Sequence, residues 1–252
     1  MNLLESIVLG IKLYVQKILW YSLAGMLLFL TAMVAAGIAS LFFLVDLLIA
    51  YYMGPHGTWI HNIPALAGVL ASGFFGAVFF TYLLFGSVGA FMHTCAQIGA
   101  GKKDMGLLSH FEYLAANAHK YFAVGMVQQL VAAVPLAAVM SATMLFGSAN
   151  QVIVWAGVAL SLLLYMAAQY PFWLSFPAMA VKKEGIVASL RRAMSATIRA
   201  PVGSAAMLLI IYVLAVAPAI SLILYPIYFF LIFCPLATVL SLVYYEANEG
   251  MI

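Results

Sequence analysis

The sequence predicts an all-α integral membrane protein, six transmembrane helices arranged as three hairpins, each preceded by an amphipathic interfacial helix. Three observations carry this expectation. Hydrophobic residues make up 67% of the 252 residues and charged ones 7%, against roughly a quarter charged in an ordinary soluble domain. So few charges cannot clothe a chain of this size, and lipid must be part of its solvent. Six runs at approximately 18–50, 64–95, 121–146, 151–180, 202–224 and 226–245 reach the roughly 20 apolar residues that a span requires. Finally, all 10 Lys and Arg residues fall on one side of the spans so drawn.

Taken in order, Lys12 and Lys17 precede the first span, and Lys102, Lys103 and Lys120 lie between the second and third. Lys182, Lys183, Arg191, Arg192 and Arg199 lie between the fourth and fifth. The opposite loops, including "MGPHGTWIHNIP" (53–64), carry none. The positive-inside rule makes the basic side cytoplasmic and places both termini there. The first apolar run is far longer than a signal-peptide core, so an uncleaved first span is expected. "GSAN" (147–150) and the turn near "YPIY" (225–228) are short enough to force tight antiparallel hairpins.

Each hairpin is led by an amphipathic stretch. In 181–201, Ile186, Leu190, Met194 and Ile198 recur every fourth residue, the spacing of one helix face. Residues 104–122 do the same with Leu107, Phe111, Leu114 and Ala118, and residues 2–20 with Leu4, Ile7, Ile11 and Tyr14. A basic amphipathic helix directly before a span is expected to lie at the interface, its cations at anionic headgroups. Aligned on Lys17, Lys120 and Arg199, the three stretches suggest repeat units 1–98, 99–181 and 182–252 within a single membrane domain, 1–252.

Two junctions carry a resemblance. "CAQIGAGKKDMGLLSHFEYLAANAHKYF" and "YPFWLSFPAMAVKKEGIVASLRRAMSATIRAPVGSAAMLLI" resemble a loose group of uncharacterised prokaryotic six-span proteins. That group is related to the membrane domain attached to some glycerophosphodiester phosphodiesterases. The resemblance covers residues 90–245 and implies a fold and a prokaryotic plasma membrane. It implies no reaction, because the catalytic phosphodiesterase domain has no counterpart in the chain.

Candidate site residues were weighed against plainer roles. Lys182, Lys183, Arg191, Arg192, Arg199, Lys102 and Lys103 are the expected contacts for anionic lipid or a partner. Gln128, Gln129 and Gln169 fall in facing spans at matching depth, where interhelical hydrogen bonds are the plain reading and a polar path the functional one. Asp46 is the one acid inside a predicted span. It lies 29 residues beyond Lys17, about 43 Å along a helix, which puts it at the outer interface. His56, His61 and Asp46 follow no ligand spacing, so no metal is expected there. His93, His110 and His119 read as polar boundary residues. "GAGKKD" (99–104) lacks the strand and helix of a phosphate loop. Cys95 and Cys234 stand apart in apolar sequence and read as small hydrophobes.

No cluster of His, Glu or Asp is placed for acid–base or metal chemistry, so neither an enzyme nor a cofactor is expected. The sequence favours a non-catalytic accessory, assembly or scaffolding subunit of a membrane complex, with a small-molecule or lipid transporter or channel as the alternative. The expected partners are anionic headgroups on the cytoplasmic side and other membrane subunits or a second copy, not nucleic acid.

Overall fold

Apolar sequence in a medium without hydrogen-bonding partners must satisfy its backbone internally, which helices do within one segment. A computed structural model describes residues 3–52, 63–101, 107–147, 151–216 and 228–249, and its described elements are all helical. They are α1 (Leu3–Gln16), α2 (Ile18–Tyr52), α3 (Ile63–Gly99), α4 (Leu107–Gly147), α5 (Gln151–Gln169), α6 (Ser175–Lys182), α7 (Ile186–Arg199) and α8 (Pro201–Val216). A π-helical turn (Phe229–Phe233) then leads into α9 (Cys234–Glu249). Among the described residues four helical stretches are long and apolar enough to cross a membrane: 18–49, 66–99, 108–141 and 229–248. The bent pair α7–α8 makes a fifth if counted as one span. The run at 151–180 is divided between α5 and α6, and 217–227 lies outside the described residues.

Successive long helices pack antiparallel. Lys17, just before α2, meets Ile98 and Gly99 at the end of α3, while Phe42 and Ile49 of α2 meet Gly76 and Gly68 near its start. In the same way Gly86, Gly89 and Phe85 of α3 meet Ala118, Tyr121 and Gly125 of α4, and Thr143 of α4 meets Gly157 of α5. Between α3 and α4 glycine matters most at Gly89, where any Cβ would overlap the Tyr121 ring. The packing is therefore a continuous row from α2 to α5. The small residues of α3, Gly68, Ser72 and Gly76, form a seam against Ile49 and Phe42 of α2, with Ser72 Oγ donating to the Phe42 carbonyl at 3.1 Å. On α2 the buried row is Tyr21, Ala24, Leu28, Thr31 and Ala35.

The three amphipathic lead-ins differ from one another. At the third, α7 meets α8 at 109°. Pro201 takes the first helical position, where its missing N–H costs nothing, and it pushes Ala200 out of the helical region to φ −130°, ψ 64°. At the first, the break falls at Lys17, whose ammonium donates to the carbonyls of Ile98 (2.5 Å) and Gly99 (3.2 Å), capping the carboxyl end of α3. At the second there is no break. The segment 107–122 has neither Gly nor Pro and continues into one 41-residue helix. Here a separate interfacial helix was expected; the second lead-in is instead the opening of a membrane helix.

Burial follows small residues, not the large apolar stripes. In α1 the protein-facing row is Ser6, Gly10 and Tyr14, packed on α9 around Leu240, while Leu4 and Ile11 are exposed. The core lies where α1, α6 and α9 meet the 21–28 part of α2, the 85–98 end of α3 and the 113–124 part of α4. Tyr21, Phe91, Cys95 and Val239 form one cluster, Leu174, Met207 and Tyr244 a second, and Tyr121, Phe176 and Met179 a third. Half of the most apolar 18-residue window within 229–248 is buried, against 6% of that within 66–99, so the apolar part of α3 is largely exposed.

Pro235 explains the π-helical turn. Leu231's carbonyl would ordinarily receive the N–H of residue 235, which proline lacks. Ser22 Oγ (2.9 Å) and Tyr14 Oη (3.4 Å) donate to it instead. We expect Ser22→Ala to destabilise the protein by about 0.5–1.5 kcal/mol, and by less in a Pro235→Ala background where the N–H is restored. Thermal unfolding of the two single variants and the double variant checks this. Equal losses in both backgrounds would mean the serine does not serve that carbonyl.

Candidate functional site

One candidate site is the outward face of α7 together with the break between α5 and α6. The helix starts at Gly185, whose carbonyl accepts from both the amide and the hydroxyl of Ser189. Ser189, Ala193, Ala196 and Thr197 form the row packed on the protein. The expected stripe is therefore split. Ile186 and Leu190 rest partly on the Tyr121–Phe176 cluster, while Met194 and Ile198 face outward. With Val187 they form an exposed apolar row, beside a row of Arg191, Ser195 and Arg199 spaced every fourth residue. The two rows and Phe172 from the break enclose an open groove of about 690 Å³. Arg192 points elsewhere and pairs with Glu184 at 2.6 Å. Lys182 closes α6, and Lys183 takes a left-handed turn conformation, φ 55°, that ends it. Both are exposed. Of the predicted basic contacts, Arg191 and Arg199 thus share one groove, whereas Lys102 and Lys103 lie outside the described residues.

The break at 170–174 was read as part of one continuous span. Pro171 removes one donor and restricts Tyr170 before it, and the backbone turns before resuming at Ser175. The freed polar groups are met from α4. Gln128 Nε2 donates to the Phe172 carbonyl and to Ser175 Oγ, each at 2.7 Å. Tyr165 Oη donates to Gln129 Oε1 at 3.1 Å. Gln169 is buried, and its Nε2 has no partner among the described residues. Gln128 and Gln129 thus bond to backbone, serine and tyrosine beyond α4 rather than to another glutamine. The break is also tied to the α7–α8 corner, since Tyr170 Oη donates to the Pro201 carbonyl at 2.6 Å and Trp173 stacks on Tyr244.

A second polar network was missed in the sequence. His93 and His110, expected at the boundary, turn inward. His93 Nδ1 lies 3.1 Å from the Ala180 carbonyl and its Nε2 3.1 Å from Gln97, and its ring stacks on Tyr113 at 3.8 Å between centroids. His110 Nδ1 lies 3.0 Å from Thr94 Oγ1, and Tyr113 and Tyr121 join hydroxyls at 3.0 Å. The i, i+3 and i, i+4 spacings His93–Gln97, His110–Tyr113 and Tyr113–Asn117 mark a polar face that the apolar-stripe reading passed over. His119 is exposed.

Asp46 faces Gly73 between α2 and α3, its Oδ1 buried without a partner among the described residues. His56 and His61 fall outside the described residues, so their relation to Asp46 does too. Among the described residues no three His, Cys, Asp or Glu side chains come together as metal ligands would. Cys95 and Cys234 are both unbridged.

No family model matches the chain, and no curated protein or solved structure is detectably similar to it.

Proposed function

We propose that the chain is a six-span accessory or assembly subunit of a membrane complex, with both termini and α7 on the cytoplasmic side. The observation that carries this reading is α7 itself. It is turned 109° from α8 and presents Arg191 and Arg199 outward, with no acidic partner among the described residues. A cation set of this kind is costly inside hydrocarbon and favourable at an anionic surface. The remaining two spans of the six are α5 with α6, and α8 on its own. The resemblance to the six-span prokaryotic group fits the same count and a plasma-membrane location.

A transporter or channel remains the second reading because of one observation, the broken helix at 170–174 with Gln128, Gln129 and Gln169 around it. Interrupted helices with exposed carbonyls are used at substrate sites in transporters. Here Gln128 closes the break against α4, which favours a packing role.

Single cysteines separate the topologies. Position 188 is expected to label only from the cytoplasmic side and position 57 only from outside; the reverse pattern at either would overturn the orientation. Isolation in native lipid then separates the functions. Stoichiometric co-purifying chains are the expected result, and a lone protein that moves a solute across vesicles would replace the subunit reading with transport.

A further inference from the structure

We infer that the groove between α7 and the α5–α6 break is a seat for a single anionic glycerophospholipid, its phosphate held by Arg191 and Arg199. This goes beyond a general attraction of the basic helix to anionic lipid, and rests on the proposed placement of α7 at the membrane surface.

The chemistry of the groove matches the two ends of such a molecule. Arg191, Ser195 and Arg199 form one row along α7, a repeat of four residues that brings two guanidiniums and a hydroxyl to the same side. Guanidinium offers paired donors to phosphate oxygens, which suits it to phosphate recognition. The row is about 12 Å long at 1.5 Å per residue, and long flexible side chains at its ends can converge on one phosphate near Ser195. Beside it run Met194 and Ile198, 40% and 70% exposed, with Phe172 as the opposite wall. Phe172 stands on the break that follows α5, whose own outward residues Leu160 and Leu163 are exposed. An acyl chain leaving the phosphate therefore passes from the α7 row onto Phe172 and then along the apolar side of α5. Arg192 takes no part, since Glu184 holds it. A soluble phosphate would use the arginine row and leave the apolar wall bare. An acidic peptide would likewise gain nothing from Met194, Ile198 and Phe172. The lipid uses both.

Native mass spectrometry of the purified full chain in detergent, titrated with phosphatidylglycerol or phosphatidylcholine, tests this. One phosphatidylglycerol adduct should form and saturate, with phosphatidylcholine at least several-fold weaker. Arg191→Ala with Arg199→Ala should weaken the adduct roughly 25-fold, about five-fold for each cation near an anionic group. Ile198→Trp, which keeps both arginines and fills the groove from an exposed position, should weaken it comparably. Arg192→Ala should leave it unchanged. Unaltered thermal unfolding of each variant excludes misfolding as the cause. If Ile198→Trp binds like wild type, or adducts accumulate without saturation, the cations act as a diffuse surface and the seat does not exist. Competition by soluble glycerol phosphate at matched concentration would equally overturn it, by showing a phosphate site with no use for the chain. Labelling at position 188 reads the placement of α7 independently. An empty groove with cytoplasmic labelling refutes the seat alone, and a filled groove with external labelling refutes the placement alone.

Discussion

Replacing Gly25 by alanine is expected to destabilise the protein by about 3 kcal/mol or more, the upper end of what overpacking a close contact costs. A Cβ on Gly25 would overlap the Phe230 carbonyl oxygen and crowd Pro235. That oxygen belongs to the π-helical turn and cannot rotate aside as a side chain could. The turn is in addition held by Pro235 on one side and by the Ser22 and Tyr14 hydroxyls on the Leu231 carbonyl on the other. Relief would require α2 to separate from the turn and α9 behind it, releasing contacts around Leu28 and Val239. Gly37, on the same helix, has open space where its Cβ would be. Gly37→Ala should therefore be neutral or stabilising by up to about 1 kcal/mol, the difference in helix propensity. Thermal unfolding in detergent, or steric trapping in bilayers, compares the pair under one condition. Similar midpoints for the two variants would show that α2 does not approach the turn this closely.

The second large effect is expected at Gln128. Gln128→Leu, close to the amide in size, removes two hydrogen bonds at once, to the Phe172 carbonyl and to the fully buried Ser175 hydroxyl. The carbonyl keeps the Ser175 amide as a donor at 2.9 Å, so the loss is cushioned there but not at the hydroxyl. A buried group left without a partner costs about 1–3 kcal/mol, while single interhelical bonds in a bilayer average nearer 0.6 kcal/mol. For two bonds to one side chain we expect a loss of about 1–2 kcal/mol. Ser175→Ala combined with Gln128→Leu should cost less than the sum of the two. A change below about 0.3 kcal/mol for Gln128→Leu would mean that water or a neighbouring amide replaces it. The transporter reading would then gain, since a wetted break is what a solute path needs.

How far these features were legible depends on which physical signal each leaves in sequence. Long apolar runs read directly as helices, because an uncharged run of more than 20 residues has few other options in lipid. Pro201 marked the corner before α8 for an equally local reason. Facing was not legible. The Ile186–Leu190–Met194–Ile198 spacing marked the apolar side of α7 but not how that side divides between the protein and its surroundings. In lipid, Ile198 gains nothing by leaving hydrocarbon, so close approach falls to Ser189, Ala193 and Ala196, as it does to Ser6 and Gly10 in α1. The break after α5 was hidden because proline is common in spans and only the partner across the gap, Gln128, shows whether the chain continues. His93 and His110 were assigned by their distance from the span ends. Their inward turn depends on Ala180 and Thr94 standing opposite, which is a tertiary fact. Arg192 and Arg199 look alike in sequence; Glu184 distinguishes them only once α7 is folded.

The pairing of α1 with α9 sets a birth order on the molecule. Tyr14 and the Leu231 carbonyl that it serves are 217 residues apart. At a synthesis rate of about 5–20 residues per second, α1 waits roughly 10–45 s before that partner is made. Throughout that interval Ser6, Gly10 and Tyr14 have no α9 to rest on, and Ser22 holds out a hydroxyl to a carbonyl not yet formed. A helix made long before α9 is thus seated only after it. A nascent chain arrested before residue 228 should leave α1 open to protease or to a cysteine reagent at position 10, and release to full length should close it.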